Sequence, residues 1–303
     1  MRIRKALPSV TLLEVNMHPF CSLEHNYNQY VATFRSIDGK LPEMMELKLH
    51  HTKEVVRNAM LIAEGERFSA LESFTAKAAA LLHDTGRYEQ LKRYNTFRDS
   101  DSIDHAVFSY EIVKEKGWLT SLDQSLLPQD GLNSVGGAEG VVEAIESAVL
   151  WHNRREVPER KDDSEKTSLV FLASHTVRDA DKLDIFRVLE ERIKTTDWRK
   201  DRTAFWNLSL NDNPSEDVVF AVKNSSSVAY NSIRSLSDFI LIQVGWMICG
   251  LNFATSRKLC RERGHLAFRR SFLKELTSSA HIDEICDIAE KKLSFDCETS
   301  LGS

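Results

Sequence analysis

The chain is poor in glycine and proline, 12 and 6 among 303 residues, and carries neither a low-complexity tract nor an internal repeat. Its cysteines, Cys21, Cys249, Cys260, Cys286 and Cys297, are odd in number, widely spaced and free of any CxxC pair. That argues against a disulfide framework or a zinc ribbon and for reduced thiols in a cytosol. An excess of positive charge is also missing. With 40 Lys+Arg against 45 Asp+Glu and a net charge of -5, bulk nucleic-acid binding is not expected, which still leaves room for a local basic pocket that takes one phosphate. Long hydrophobic runs are absent too. The most apolar stretch, Phe239 to Phe253, includes Gln243 and two glycines and is too short to span a bilayer, so it reads as a buried core helix. The N-terminus, Met1-Arg2-Ile3-Arg4-Lys5, is basic, but Pro8, Glu14 and Asn16 break the apolar run behind it. It makes a poor signal peptide, and a cytoplasmic protein with no membrane association is expected. No stretch alternates polar and apolar residues long enough to form a sheet, so the expected fold is all-α.

What is present is helical periodicity. An amphipathic run from Glu24 to Ile37 ends at the turn pair Asp38-Gly39. Pro42 opens a helix that extends through Glu64, with Leu47, Leu49, Val55, Val56, Ala59, Ile62 and Ala63 apolar and Gly65 as its stop. Ser73 to Asp84 is the alanine-rich central helix. Gly86 turns the chain into a polar segment, Arg87 to Asp104, of the kind that often forms a lid or substrate clamp. Ser102 or Asp104 caps a helix that ends at Gly117. Ser121 to Gly140 reads as a surface loop. Further helices are expected at Val141 to Trp151 and Ser168 to Thr195; 196 to 214 is irregular; Glu216 to Lys258, Arg263 to Leu276 and Ile282 to Leu293 return to helix. A single all-α domain over 1–303 is expected, with a core at about 41–195 and a C-terminal helical cap at about 216–293.

The chain is organised around Leu81-Leu82-His83-Asp84-Thr85-Gly86-Arg87, where an apolar helix ends in an adjacent His and Asp. Burying two such groups is costly unless a divalent cation offsets the cost. His51 lies upstream on the Val55 and Ala59 stripe, whereas His50 sits about 100° round the helix and faces elsewhere. Downstream are His105, His152 and Asp179, each at or near the end of an apolar run or on a helix face. A mixed carboxylate and imidazole set from separate helices suits Mn, Fe, Co, Ni or Zn better than a structural zinc knot, and points to an active site. Lys182, one turn beyond Asp179, and Arg87, just after the doublet, are candidates for substrate phosphate contacts, with Lys53, Arg93 and Arg154 behind them. No residue stands out as a general acid. His18, His25, His175, His265 and His281 lack a surrounding constellation, and Trp246, Phe239 and Phe253 read as core.

The ordered set His51, His83-Asp84 and Asp179, with the run Val177-Arg178-Asp179-Ala180-Asp181-Lys182-Leu183-Asp184 around the last, resembles the HD-domain superfamily of metal-dependent phosphohydrolases. The likeness spans roughly residues 45 to 190. Leu82 to Arg87 followed by Asp104-His105-Ala106 is similar to one bacterial branch. The resemblance implies an HD-type helical bundle with additional C-terminal helices, with His51, His83, Asp84 and Asp179 as ligands of a first ion. It also implies that His105 and His152 enlarge the site to a binuclear one, bridged by Asp84. Asn153 after His152 and the lack of a Gly-Tyr-Pro signature separate the chain from the cyclic di-GMP phosphodiesterase branch.

Three functions stay open on these residues. The first is a phosphohydrolase acting on a nucleotide or another small phosphorylated metabolite, through one or two divalent ions that polarise a phosphoryl oxygen and activate water, with Asp84, Arg87 and Lys182 taking part in the chemistry. The second is a di-iron oxygenase using the same four-His, two-Asp set. The third is a slow ligand-binding or signalling module. Oligomeric state is not encoded in any of these motifs.

Overall fold

The computed structural model describes residues 18–158, 162, 164–200, 205, 208–210, 212–226, 228 and 232–294. Among them the fold is all-α, with no strand and one isolated β-bridge between Ser209 and Ser235. The helices are α1 (Pro19–Ala32), α2 (Glu43–Gly65), α3 (Ala70–Leu82), α4 (Gly86–Tyr94), α5 (His105–Lys116), α6 (Gly137–Trp151), α7 (Glu165–Thr195), α8 (Glu216–Lys223), α9 (Leu236–Cys249), α10 (Ala254–Glu262), α11 (His265–Leu276) and α12 (His281–Ser294). None is long and apolar enough to cross a membrane. The basic N-terminal stretch, residues 1–17, lies outside the described residues.

The long α7 is the axis, packed against α2, α3 and α6. Small side chains allow this closeness: Ala76, Ala78, Ala79 and Ala80 of α3 and Ala173 and Ala180 of α7 are fully buried, so helix backbones approach without leaving voids. A capping box starts α3, with Ser69 Oγ accepting from Glu72 N at 3.2 Å while Ser69 N donates to Glu72 Oε2 at 2.7 Å. At the start of α5, Asp104 accepts from Ala106 N at 3.0 Å and Val107 N at 3.3 Å.

Gly86 decides how α4 and α5 meet. A Cβ there would lie 2.7 Å from Ser109 N and 2.9 Å from His105 O, so only glycine lets the end of α3 approach the first turn of α5. Gly86 N also donates to Ser109 Oγ at 2.8 Å.

Several helix boundaries differ from the sequence expectation. Residues 86–94, read as part of a polar loop, form α4; they are helical because the helix is closed by Asn95 in a left-handed conformation (φ 51°) and packed on α5. α6 begins at Gly137, four residues before Val141, its N-cap glycine Gly136 at φ 88°. The single helix expected over 216–258 is divided among α8, α9 and α10, separated by the polar stretch after Asn224 and by Gly250-Leu251-Asn252. The C-terminal helices join the rest in one continuous apolar cluster, with α10 on α2 and α7 and α11 on α7. Arg263 Nη1 donates to Asn58 Oδ1 at 2.8 Å and Asn58 Nδ2 to the Ala180 carbonyl at 3.1 Å, tying α10's end to α2 and α7.

Candidate metal centre

The ends of α3 and α6, the first turn of α5 and the middles of α2 and α7 converge at one place. They bring His51, His83, Asp84, His105 and His152 together, all 7 % exposed or less. Five buried polar side chains crowd into a volume with little water, so their protons and lone pairs must be matched to one another or to a bound group.

Each imidazole has its Nδ1 engaged. His51 Nδ1 lies 2.6 Å from Asp184 Oδ2, His83 Nδ1 2.8 Å from the Ala80 carbonyl, His105 Nδ1 2.6 Å from Asp99 Oδ2, and His152 Nδ1 2.7 Å from the Val149 carbonyl. A carbonyl or carboxylate can only accept, so Nδ1 is the protonated nitrogen in each ring and Nε2 faces inward. In His83, His105 and His152 that is the orientation of an imidazole prepared to give a lone pair to a cation, whereas His51 Nε2, 3.1 Å from Asp181 Oδ1, gives one on releasing a proton.

Two further observations fit a cation. His83 Nε2 is buried with no hydrogen-bond partner. His105 Nε2 and His152 Nε2 stand 3.0 Å apart, where two lone pairs repel unless a proton or a metal lies between them. The donor set, imidazoles with carboxylates, is that of a divalent transition metal.

Asp84 lies between the two imidazole pairs. Its Oδ2 is 3.6 Å from both His51 Nε2 and His83 Nε2, while its Oδ1 is 3.6 Å from His105 Nε2 and 3.7 Å from His152 Nε2. Two ligand-sized groups result, His51, His83 and Asp181 on one side and Asp84, His105 and His152 on the other.

Asp179 is not in this cluster, contrary to the sequence expectation. Its carboxylate accepts from Asn252 N at 2.7 Å, Asn252 Nδ2 at 2.8 Å and Phe253 N at 3.0 Å, and so holds the α9–α10 turn. Asp181 stands where Asp179 was expected, its Oδ1 3.1 Å from His51 Nε2 and 3.9 Å from His83 Nε2. Two residues along a helix is about 200°, so the two carboxylates leave α7 on nearly opposite faces. The phosphate candidates also separate. Arg87, 13 % exposed, places Nε 3.4 Å from Asp84 Oδ1 and gives Nη1 to Gln90 Oε1 at 2.8 Å, the Phe97 carbonyl at 2.7 Å and Asp99 Oδ1 at 3.0 Å. Lys182 instead donates to the Arg178 carbonyl at 3.2 Å. Lys53 is exposed, Arg93 pairs with Glu89 at 2.8 Å, and Arg154 with Asp104 at 3.1 Å.

Besides Asp181, sequence reasoning missed four participants. Asp184 and Asp99 orient His51 and His105; Arg178 caps the end of α6 through the Trp151, Arg154 and Arg155 carbonyls; Lys48 gives Nζ to Asp84 Oδ2 at 2.8 Å. Only Lys48 left a signal, since it lies three residues before His51 on the same helix face. His50 faces away as expected, against Arg187.

Charges in the cluster follow from burial and pairing. Burial, with the Asp84 charge opposing it, lowers His83 to about 4. Burial and the Arg87 guanidinium lower His105 to about 4 despite Asp99. At His51, burial and Lys48 disfavour the cation, but the hydrogen bonds to Asp181 and Asp184 outweigh them and raise it to about 8. Burial disfavours the Asp84 carboxylate, yet Lys48 and His83 hold its pKa well below the usual range. Asp181 is likewise lowered against burial, by His51. Burial and Arg178 bring Lys182 down to about 8.

An all-α bundle that pools four imidazoles and two carboxylates from five helices and their ends offers a donor set compatible with divalent cations. Residues 49–185 match the family model of the HD domain, a span that contains every member of the cluster and that supports membership of the HD-domain superfamily, most of whose members are metal-dependent phosphohydrolases. No curated protein and no solved structure matches the chain significantly.

Proposed function

We propose that the protein is a metal-dependent phosphohydrolase acting on a nucleotide or another small phosphorylated metabolite. His51, His83, Asp84 and Asp181 would hold one ion, and Asp84, His105 and His152 a second. The observation that carries this reading is the Asp84 carboxylate, one oxygen turned to each pair of inward Nε2 atoms. Bound divalent ions supply Lewis acidity toward a phosphoryl oxygen and lower the pKa of water.

The chain's own residues do the rest. Asp184 and Asp99 fix the rings of His51 and His105, so the donors need no rearrangement when the ions arrive. Arg87, held by Asp99, Gln90 and the Phe97 carbonyl, presents a fixed guanidinium beside Asp84 and is positioned to hold phosphate oxygens as negative charge develops. Lys182, bonded to Arg178, is not given a phosphate contact here. The Asn95 to Ile103 strap carries Phe97 and Asp99 across this side of the cluster. The acidic net charge of -5 favours a small substrate over a polymer.

The test is metal content per chain on protein purified without added metal or a nickel column, followed by phosphate release from a nucleotide panel. One or two Mn, Co, Ni or Zn per chain with metal-dependent phosphate release is the expected result. Two irons per chain with substrate-dependent oxygen consumption and no phosphate release would replace the hydrolase by an oxygenase. No metal after reconstitution would overturn the site.

A further inference from the structure

We propose that Lys48 is an anion-holding residue of this site, bonded to Asp84 only while no ion competes for that carboxylate. Once the site is loaded, its ammonium takes an anionic oxygen of the substrate. The inference deepens the metal-dependent reading of the site and rests on it.

The geometry begins with Asp84 Oδ2, which Lys48 Nζ reaches at 2.8 Å. The same oxygen faces His51 Nε2 and His83 Nε2, both at 3.6 Å. Lys48 therefore sits on the carboxylate oxygen that the first ligand group shares. The ammonium pairs with one oxygen of a buried carboxylate whose other oxygen has the Arg87 guanidinium at 3.4 Å, and Asp84 is its one ion-pair partner among the described residues. A divalent ion held by His51, His83, Asp84 and Asp181 would place like charge beside that ammonium in a water-poor site. Lys48 must then find another anion.

Its surroundings limit where it can go. The Lys48 side chain is 19 % exposed, so the amine lies at the border between the cluster and solvent. The Phe97 ring covers it, 5.5 Å from Nζ, and the same ring lies 5.7 Å from the Arg87 guanidinium carbon. Lys48 on Oδ2 and Arg87 near Oδ1 thus flank Asp84 under one aromatic roof, two cations facing the edge of the ligand ring. With both metal positions filled, Arg87 keeps the Asp99 carboxylate at 3.0 Å, whereas Lys48, whose one ion-pair partner among the described residues is Asp84, is the cation left without an anion. A phosphate group supplies it. A flexible four-carbon stem suits Lys48 to this exchange, whereas Arg87, fixed by three acceptors, stays in place.

The experiment is calorimetric titration of Mn2+ into the metal-free parent chain, Lys48→Met, Lys48→Gln and Lys48→Arg, followed by inorganic phosphate into each Mn-loaded protein. Lys48→Met and Lys48→Gln are expected to bind Mn2+ roughly tenfold tighter, because no ammonium competes for Asp84, and phosphate roughly tenfold more weakly. Lys48→Arg is expected to keep phosphate binding. Unchanged or weaker Mn2+ affinity in both neutral variants overturns the proposal, as does phosphate binding equal to the parent's in both. If neither the parent nor any variant binds Mn2+ or another divalent transition metal, the metal-dependent reading itself fails and this one with it.

Discussion

At the scale of residues, the molecule separates side chains that look alike in sequence. Asp179, Asp181 and Asp184 lie within six positions on one helix, yet the first holds a turn, the second faces the cluster and the third orients His51. The doublet and the three other histidines were legible because each stands at the end of an apolar run or on a clear stripe. The closing carboxylate was not, because α7 is packed on several faces and hydrophobic periodicity then no longer fixes the phase. Asp181→Ala is expected to abolish binding at the first metal position with a modest loss of metal-free stability. Asp179→Ala should do the opposite: it leaves the Asn252 and Phe253 amides without their acceptor, costing about 1–3 kcal/mol, and keeps the metal. Metal analysis beside denaturant unfolding distinguishes the two, and metal loss in Asp179→Ala with retention in Asp181→Ala would return the ligand role to Asp179. The orienting carboxylates make a second prediction. Asp184→Ala and Asp99→Ala should weaken metal binding about 10–100-fold without removing any ligand, His51's ion being affected by the first and His105's by the second. Competition with a chelator of known affinity measures both.

At the scale of elements, the site depends on how closely helix ends approach, and Gly86 controls one such approach. Helices around the cluster were legible from their caps and apolar spacing; α4 was not, since its composition is polar and only Tyr88 and Gln90 beside Gly86 itself are buried. Its helical state depends on tertiary contacts that no local window contains: Gln90 Nε2 donates to Asp99 Oδ1 at 3.0 Å, Ser102 Oγ at 2.9 Å and the Ile103 carbonyl at 3.0 Å, so α4 and the strap after it hold each other. The division of 216–258 into α8, α9 and α10 was missed for the opposite reason, because apolar stretches on either side of short polar breaks blur into one pattern. Gly86→Ala tests the close approach. Its Cβ would meet backbone atoms at 2.7 Å and 2.9 Å, which cannot rotate away, so α5 must shift and carry His105 off Asp84. A loss of about 1–3 kcal/mol in stability is expected, together with loss of the ion that His105 and His152 share. A Gly86→Ala protein that retains two ions per chain at parental stability would show that the contact yields freely.

At the scale of the whole molecule, the C-terminal helices are joined to α7 by a buried charged network far from the cluster in sequence. Arg269, fully buried, donates Nη1 to Glu190 Oε1 at 2.7 Å and to the His265 carbonyl at 3.0 Å, Nη2 to Gln243 Oε1 at 2.7 Å and the Phe186 carbonyl at 3.2 Å, and lies over the Phe186 ring at 4.4 Å. His265 Nδ1 shares Glu190 Oε1 at 2.6 Å, and the neighbouring Cys260 thiol, pushed up to about 12 by burial, stays neutral. His265, assigned in sequence to a bland role, is therefore part of what fixes α11 to α7; no spacing rule reveals this, because its side-chain partners, Glu190 and Phe186, lie on α7. Burial opposes the Glu190 carboxylate, but His265 and Arg269 outweigh it and lower its pKa; burial lowers His265 despite Glu190. Both groups act in the same direction. Below about pH 6.5 the unfolded chain takes up a proton that folded His265 resists, and below about 4.5 it takes up one that folded Glu190 resists, so stability falls as pH drops through that range. Glu190→Gln leaves the Arg269 cation buried without its counter-charge and is expected to cost about 3–5 kcal/mol at pH 7. It should also flatten the part of the acid decline below pH 4.5, because one of the groups causing it is gone. Urea unfolding of the metal-free protein between about pH 3 and 8 measures both effects, and a variant as stable as the parent at pH 7 with an unchanged acid decline would mean that apolar packing alone holds the C-terminal helices to α7.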